Sequence, residues 1–485
     1  MYNQSDQPII LWFRQDLRLA DNLALDYVAK SLHPIIPIYV LDSNVSIGEA
    51  SKWWLHHSLE SLNRSLNNKL NFFIGNPEEI IAQIIKEDNI FEVVWNRCYE
   101  PATVKRDAEI EERLKHKNIL AKSFNSALLL EPQDTVKEDN TNYKVFTPFY
   151  KKNYASGNSK IRLPIDKPAN LNLLKIKSLT LRELSLIPKV NWYKSFKKIW
   201  QPGEDNANIV FDKFLQRGLK NYKELRNRAD LEHFSRLSPH LHFGEISPNT
   251  IWYRIRSYLE KNNYDVDAEH FLSELVWREF SYSLLYFFPN LPTRNLQQSF
   301  DYFPWHENDD LLQKWQNGKT GYPIVDAGMR ELWQTGFMHN RVRMIVASFL
   351  VKHLLIDWRY GAEWFYDCLV DADLANNSAS WQWVAGSGAD ATPYFRIFNP
   401  MLQGKKFDPE GVYTKKFVPE LKNLPIKYLF TPWLAPENLL SRLNIKLGIN
   451  YPEPIVDHIK ARQRALEAYD EMKNTKIIVT SNVNI

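Results

Sequence analysis

The stretch IILWFRQDLR, residues 9–18, sets the fold of the first third of the chain. It begins with a short apolar run typical of a buried strand. Similar runs follow at 35–41, 72–74, 93–95 and 119–124. Helical patterns lie between them, at 23–31, 50–66, 77–87 and 103–116. This alternation predicts an α/β fold whose parallel, Rossmann-like sheet is covered on both faces.

The turn after the first run argues against a common use of such a sheet. A dinucleotide-binding domain shows G-x-G-x-x-G there, because glycine lets the backbone approach a pyrophosphate. This chain has FRQDLR at 13–18 instead. The sequence therefore gives a dehydrogenase no support.

The pattern changes further along the chain. After the alternating part, Lys, Asn and Pro are frequent and periodicity is weak, which predicts a connector. Later, helical periods dominate, as at 270–287, 323–334 and 340–356, and predict an all-α domain. The predicted division is an α/β domain at 1–130, a connector at 131–204, a helical domain at 205–472 and a short polar tail at 473–485.

Composition limits the class of protein. The 485 residues are 13% aromatic with a net charge of +4, so nucleic-acid binding would need a local basic patch. The two cysteines, Cys98 and Cys368, exclude a disulfide framework and a four-cysteine metal site. The sequence shows no secretory signal and no apolar run of membrane-spanning length. We expect a soluble, cytoplasmic protein without a bound metal.

Residues 371–400, DADLANNSASWQWVAGSGADATPYFRIFNP, carry the strongest chemical signal. Two acids, an Asn-Asn pair and a Trp-Gln-Trp stand close together without amphipathic regularity. Such polar groups must be hydrogen-bonded inside the protein or face a ligand. The alternative is a tryptophan-rich helix corner in an ordinary core.

A second motif, SRLSPHLHFGEISP at 235–248, contains two Ser-Pro pairs. Serine followed by proline is typical of a helix N-cap and first turn, so both pairs predict helix starts. At the first pair, Ser235 and Ser238 add hydroxyls beside a helix N-terminus, where a pyrophosphate can bind. The alternative is that both pairs serve only to begin helices.

A third motif, ELVWREF at 274–280, combines an acid with a flat ring. Glu274 and Trp277 are three residues apart and therefore share a helical face, with Arg278 four residues from the acid. One interpretation is a pocket wall that carries both groups. The other is an exposed Glu–Arg pair beside a buried tryptophan.

A fourth motif, KTGYPIVDAGMRELWQTGFMHNRVRMIVASF at 319–349, places many polar side chains at one helix start. They are His339, Asn340, Arg341, Arg343 and Met344. A single histidine here would be structural in most proteins. The density of the cluster points to binding.

Together, SRLSP, WREF, KTGYPIVDAGMR, MHNRVRM, the DADLANN–WQW run and YFRIFNP resemble the photolyase/cryptochrome family. The matches are in order and cover roughly residues 8–470, and within the family they look most like class I cyclobutane pyrimidine dimer photolyases. The resemblance implies an N-terminal antenna domain and a helical domain that holds FAD in a folded conformation.

The resemblance also implies site residues for the flavin. They are Tyr222, Ser235, Leu237, Ser238, Arg278, Arg343, Asp371, Asp373 and Asn377. Arg343 and Asp371 match an ion pair against the flavin ring, and Asn377 matches the residue that faces flavin N5. The family commonly has Gly-Thr before Ser235, whereas this chain has His233-Phe234.

Three tryptophans match the electron-transfer chain of the family. Trp381 would be nearest the flavin, Trp358 in the middle and Trp305 toward the surface. Their spacing in the sequence does not show this. Without the resemblance they would be taken as core residues.

Some residues separate repair enzymes from light sensors. Repair members usually have Asn at position 377, where plant-type sensors have an acid and insect-type sensors a cysteine. Photolyases of the (6-4) type have a second histidine where Asn340 stands. With Glu274, Trp277, Met344 and Trp383 also present, the pocket resembles that of enzymes acting on cyclobutane pyrimidine dimers. The absence of a long C-terminal extension also weighs against a sensor.

The resemblance thus implies light-driven repair of UV-damaged DNA by reduced FAD, FADH⁻. Glu274, Asn340 and Asn377 would be catalytic, with Trp277, Trp383 and Met344 contacting the lesion. Candidate phosphate contacts are Arg226, Arg341, Arg396, Lys405 and Lys406, although Lys405-Lys406 could equally lie in a solvated loop. The alternatives are a blue-light receptor without repair activity, a (6-4) photolyase and, less favoured, a non-enzymatic DNA-binding module.

A second chromophore is implied for the α/β domain. In this family it is a folate (MTHF) or an 8-hydroxydeazaflavin, and some members bind neither. WNRCYEP, at 95–101, follows a predicted strand, where α/β sheets bind ligands. We expect a monomer without an obligate protein partner.

Overall fold

The computed structural model describes residues 7–155, 160–262 and 265–482, with side chains up to residue 475. Its first part contains five strands: β1 (Ile9–Phe13), β2 (Ile35–Asp42), β3 (Asn71–Gly75), β4 (Glu92–Asn96) and β5 (Leu120–Phe124). They form one parallel sheet in the order β3-β2-β1-β4-β5. The helices between them are α1 (Leu23–Lys30), α2 (Glu49–Ser65), α3 (Pro77–Asp88) and α4 (Pro101–His116). The predicted α/β fold is confirmed.

Helices cover both faces of the sheet because successive side chains of a strand point to opposite sides. On β1, Leu11 packs with residues of α1 and α2, whereas Ile10 and Trp12 pack with residues of α3 and α4. All five residues of β1 are buried. A central parallel strand has no polar face, and this explains its unbroken apolar run.

The segment predicted as a connector is largely irregular but is fastened to the sheet. It contains α5 (Phe146–Tyr150) and α6 (Phe196–Ile199), with 3₁₀ or π turns between them. The Ile35 amide donates to Asn172 O at 2.7 Å, and the Leu179 amide donates to Phe72 O at 2.9 Å. These backbone bonds hold the connector against β2 and β3.

The rest of the chain is helical, as predicted. Its helices are α7 (Glu204–Lys213), α8 (Tyr222–Leu225), α9 (Ser238–His242), α10 (Pro248–Lys261), α11 (Val266–Phe287), α12 (Asp309–Gln316), α13 (Pro323–Thr335), α14 (Asn340–Ser348), α15 (Trp358–Cys368), α16 (Leu374–Ala385), α17 (Pro400–Phe407), α18 (Val412–Phe417), α19 (Ile426–Leu429), α20 (Glu437–Arg442) and α21 (His458–Asn482). Ser247 caps α10 by accepting from the Thr250 amide at 2.9 Å, as its Ser-Pro signature predicts.

The helix predicted at 340–356 is confirmed to residue 353, but its geometry changes after residue 348 and its last three residues are not helical. Helix α14 ends at Ser348 and a single π turn, Phe349–His353, follows it. Leu355 then has a φ of +55°, a left-handed conformation that helical geometry does not allow. Asp357 caps the next helix by accepting from the Arg359 amide at 2.9 Å.

Glu245 joins the two domains. Its fully buried carboxylate accepts from Trp54 Nε1 of α2 at 3.1 Å and from the Gly203 amide at 2.8 Å, and it also contacts His240. Because His240 lies in α9, these bonds fix α9 against the α/β domain. Helix α9 in turn forms part of the site described below.

The end of the chain is helical where a polar tail was predicted. Helix α21 continues through residues 473–482, and 483–485 lie outside the described residues. Among the described residues, no helix has both the length and the apolar character that crossing a membrane requires. The domain boundaries at 130/131, 204/205 and 472/473 stay predictions.

Candidate flavin and lesion site

A cavity of about 570 Å³ lies in the helical domain, walled mainly by α8, α9, α11, α14 and α16. The predicted residues that line it are Tyr222, Arg226, Ser235, Leu237, Ser238, Glu274, Trp277, Arg278, Asn340, Arg341, Arg343, Met344, Asp371, Asp373, Asn377, Trp381 and Trp383. We call Asp371, Asp373 and the side chains bound to them the floor. We call Arg226, Glu274, Trp277, Asn340 and Trp383 the mouth; all five are partly or fully exposed.

The loop before α9 places two serines at the cavity. Ser238 is the first residue of the helix, not its cap as predicted, and the cap position is taken by Leu237. Because the Ser238 hydroxyl does not cap the helix, it donates to Asp371 Oδ2 at 2.6 Å. Ser235 accepts from the Leu237 amide at 3.3 Å. The loop and the floor are thus one hydrogen-bonded unit.

Phe234 occupies a position where the family commonly has threonine, and its ring packs against other aromatic rings beside this loop. Its ring stacks on Phe337 with centroids 5.7 Å apart. Arg236 has a φ of +55°, and its guanidinium lies over the rings of Phe234 at 5.0 Å and Trp200 at 5.4 Å. These aromatic contacts hold a backbone conformation that is uncommon for a side chain of this size.

Arg343 and Asp371 form the ion pair that the resemblance implies. Arg343 Nη2 lies 2.9 and 3.0 Å from the two carboxylate oxygens, and Arg343 Nε donates to Met338 O at 2.7 Å. Asp371 is 8% exposed. A buried carboxylate of this kind is stable only with such partners.

Asp373 has more partners than any other acid of the cavity. It caps α16 by accepting from the Asn376 amide at 2.8 Å, and it contacts His242 and Tyr282. Burial alone would raise its pKa, but the hydrogen bonds from His242 and Tyr282 and the charges of His242 and Arg278 lower the pKa to about 2. The carboxylate is therefore ionised in the folded protein.

Sequence reasoning missed several residues of this wall. His242, Ser281, Asn376 and Ser380 line the cavity with polar groups. His242 lies 3.3 Å from Asp373, 131 positions away in the sequence. The position of His242 inside the second motif, four residues after Ser238, was a usable signal because one helical turn brings such residues to one face.

Glu274 at the mouth pairs with Arg226 and not with Arg278, the alternative pairing considered above. Arg226 Nη1 donates to Glu274 Oε1 at 2.7 Å, and His270 lies 3.7 Å from the same oxygen. Arg278 instead pairs with Glu279 at 2.9 Å. Burial raises the pKa of Glu274, and the charge of Arg226 offsets this only in part. The protonated carboxyl is therefore favoured more than in water.

The candidate phosphate contacts lie in two different places. Arg226 and Arg341 line the cavity, and Arg341 donates to Asn227 Oδ1 at 2.7 Å. Arg396 and Lys406 are exposed and do not line it. Lys405 and Lys406 are exposed in the last turn of α17, so they lie on a helix and not in a loop, and their contact with phosphate stays a prediction.

Comparison with known proteins identifies the domains that carry this site. The sequence pattern described as the FAD binding domain of DNA photolyase matches residues 271–471, and the pattern described as DNA photolyase matches residues 9–169.

The chain belongs to the photolyase/cryptochrome family.

Its relatives include both branches of the family. It is 47% identical to a deoxyribodipyrimidine photo-lyase of Agrobacterium fabrum, covering 96% of this chain and 98% of the relative. It is 34% identical to cryptochrome-2 of Arabidopsis thaliana, covering 98% and 80%. A crystal structure described as a bacterial class III photolyase, from Agrobacterium tumefaciens, has a TM-score of 0.94 at 46% identity and covers 97% and 99%. The family is therefore settled, whereas class I membership stays a prediction.

The three tryptophans of the expected photolyase electron-transfer chain differ in depth. Trp381 is buried and lines the cavity, Trp358 is fully buried, and Trp305 is half-buried. Gly361, in the same helix as Trp358, packs so closely on the Trp381 ring that a Cβ would not fit. Exposure does not rank the three in the predicted order, because Trp358 is more buried than Trp381, so both the order and the role stay predictions.

The edge of the sheet where an antenna chromophore was expected carries several polar side chains. Its polar groups bind one another: Arg14 pairs with Asp107 at 2.5 Å, and Asn96 donates to Asp16 at 2.6 Å and to Asn22 at 2.7 Å. Glu100 is buried as well. These bonds order the polar side chains at this edge of the sheet, and WNRCYEP as the antenna site stays a prediction.

Proposed function

We propose that this chain splits cyclobutane pyrimidine dimers in DNA, using light and FAD in its reduced anionic form. The observation that carries the proposal is that one cavity combines a floor suited to a flavin with a mouth suited to two joined pyrimidines. The loop before α9 offers the Ser235 hydroxyl and backbone amides to a pyrophosphate. The Arg343–Asp371 pair offers one charge of each sign to a polar ring.

The dimer joins two pyrimidines by two C–C bonds, which acid–base chemistry cannot break. Bound FADH⁻ would supply a photoexcited electron to the dimer and receive it back after both bonds open. The side chains of the floor would orient the flavin. Asn377, whose side-chain amide donates to Ala362 O at 2.9 Å, would contribute to this from the cavity wall.

Glu274 and Asn340 are the proposed catalytic residues on the lesion side. A protonated carboxyl can donate a hydrogen bond to a base carbonyl and stabilise the negative charge that develops there, and burial raises the pKa of Glu274 toward that form. Arg226 would then leave Glu274 for a DNA phosphate. Asn340 would hold the edge of a base.

Trp277 and Trp383 would stack on the extruded dimer, each contributing about 1–3 kcal/mol. Photolyases are among the enzymes that extrude their target from the duplex. Met344 would pack against the same rings. Arg341, Arg396, Lys405 and Lys406 would neutralise flanking phosphates, and each such contact steepens the salt dependence of binding.

The proposal is tested with an oligonucleotide that contains one thymine cyclobutane dimer. The reduced, FAD-loaded protein should restore it in blue light and not in darkness. The Glu274→Ala variant should lower the quantum yield more than DNA binding. An unchanged yield would remove the proposed role of Glu274.

A light sensor is the second candidate, because cryptochromes are also among the relatives. It predicts photoreduction of the flavin without repair of any dimer. The same assay with a (6-4) photoproduct tests the third candidate, which Asn340 argues against. The class I assignment from the lesion pocket, an antenna of either type, and a cytoplasmic monomer without an obligate protein partner are proposed on the resemblance alone.

A further inference from the structure

The connector places an aromatic ring directly behind the lesion site. Phe146, the first residue of α5, lies parallel to Trp277 with ring centroids 3.7 Å apart and an interplanar angle of 7°. Phe146 is 9% exposed, whereas Trp277 is partly exposed and lines the cavity. Phe146 therefore packs flat on one face of a ring that also lines the cavity.

Further rings fix the position of Phe146. Phe280 of α11 meets Phe146 edge-on at 5.9 Å and Trp277 edge-on at 5.8 Å. Tyr150, one turn after Phe146 in the same helix, stacks on it with ring centroids 5.8 Å apart. The pair is therefore enclosed, and a tilt of Trp277 would require the connector to move as well.

The backbone of Phe146 reaches the second tryptophan of the mouth. Its amide donates to Asp390 Oδ2 at 3.1 Å. Asp390 lies in the loop after α16, which folds back on Trp383: the Thr392 amide donates to Trp383 O at 3.2 Å. Asp390 has a φ of +47°, so the loop is tightly turned at this residue.

We infer that Phe146 is a positioning residue for lesion recognition: its ring orients Trp277, and its amide, through Asp390, holds the loop that supports Trp383. The ligand is the one of the proposed function, two pyrimidines joined face to face, and the inference rests on that function. Two flat walls bind a rigid pair of bases well only at a fixed separation and orientation. Because the connector contacts both walls, it fixes their separation and orientation before the ligand binds, and this reduces the conformational entropy lost on binding.

The inference is tested by the affinity for an oligonucleotide with one thymine cyclobutane dimer, relative to the undamaged oligonucleotide. Phe146→Leu keeps an apolar side chain but removes the flat face. It should weaken dimer binding about 3- to 10-fold, the size of an aromatic pair, and leave undamaged DNA unaffected. Phe146→Tyr restores a flat ring and should restore the affinity. FAD content should stay unchanged, because Phe146 does not line the cavity.

Two further variants separate positioning from packing. Phe149→Leu makes the same change in the same helix without a ring contact to Trp277, and it should leave the selectivity for the dimer intact. Asp390→Ala removes an exposed acceptor outside the core and should weaken dimer binding at least about twofold. If Phe146→Leu does not fold, the dimer affinity of Asp390→Ala tests the inference in its place.

The outcomes distinguish the inference from the proposed function. A native protein that binds both oligonucleotides equally would overturn the proposed function and the inference with it. If the native protein is selective, the inference alone is overturned by a Phe146→Leu variant with native affinity, by failure of Phe146→Tyr to restore binding, or by an equal loss in Phe149→Leu. If Phe146→Leu does not fold, native affinity for the dimer in Asp390→Ala would overturn the inference instead.

Discussion

The floor and the mouth of one cavity hold their charged groups differently. At the floor, Asp371 is 8% exposed and Asp373 is 5% exposed, and each contacts two or more side chains. At the mouth, the Glu274 side chain is 28% exposed and depends mainly on Arg226, 2.7 Å away. The floor is therefore fixed before any ligand arrives, whereas the mouth has groups that can exchange a protein partner for a substrate.

The pKa values of the two acids move in opposite directions because a different effect prevails at each site. Burial acts to raise both, but at Asp373 the surrounding hydrogen bonds and charges prevail and the pKa falls to about 2. At Glu274 burial prevails and the pKa rises. A permanent carboxylate suits a structural floor, and an acid that can be protonated suits a group that donates to substrate.

The largest expected effect is at the floor. Arg343→Ala would leave Asp371 buried without its cation, which costs about 3–5 kcal/mol, because a buried charge is then uncompensated. We expect a lower melting temperature and loss of bound FAD, measured by thermal unfolding and by flavin absorbance.

Lys314→Ala is the matched control, because Lys314 pairs with Asp310 at 2.6 Å on the surface. Removal of an exposed pair costs about 0–1 kcal/mol. Equal melting temperatures for the two variants would show that the floor is no more tightly coupled than the surface.

The same comparison explains what the sequence could predict. The strands at 9–13 and 35–41 were found almost to the residue, because apolar runs buried on both faces are visible in the sequence. Residues that line the floor, such as Asp371 and Ser238, were named from family motifs. Their mutual contacts, 133 positions apart, have no signature in local periodicity.

The contacts of the mouth were predicted least well. Glu274 was considered as a partner of Arg278, four residues away, whereas its actual partner is Arg226, 48 residues earlier. Phe146 was treated as part of a plain connector, although it stacks on Trp277. Local spacing tells which residues share a helical face, but which element packs on that face is a tertiary property.

A second prediction concerns acid stability of the floor. Asp373, with its pKa lowered to about 2 from an unfolded value of about 3.9, stabilises the fold fully above pH 4 by about 2 kcal/mol. This stabilisation is lost as the pH falls from 4 to 2. The difference in unfolding free energy between the native protein and Asp373→Asn, from urea denaturation, should therefore shrink across that window. A difference that does not depend on pH would contradict the assignment.

A third prediction is confined to the mouth. Trp277→Ala should weaken binding of dimer-containing DNA by about 1–3 kcal/mol through loss of stacking, while FAD content stays native. Equilibrium fluorescence titration measures the first and flavin absorbance the second. Trp333→Ala removes a tryptophan that is 46% exposed and does not line the cavity, and it should bind normally. A loss of FAD in Trp277→Ala would mean that floor and mouth are not separable.

The smallest effect tests the sign of the difference between the acids. Because burial raises the pKa of Glu274, the folded protein binds a proton that the unfolded chain has released once the pH exceeds about 4.3, the ordinary value for glutamate. Stability of the native protein therefore falls as the pH rises through the raised pKa, opposite to the effect of Asp373. The Gln side chain of Glu274→Gln cannot ionise. The unfolding free energy of this variant should therefore increase relative to that of the native protein as the pH rises above 4, and the difference should then become constant. Parallel urea midpoints across this range would show that Arg226 offsets burial completely, and the mouth would then resemble the floor in holding a fixed charge.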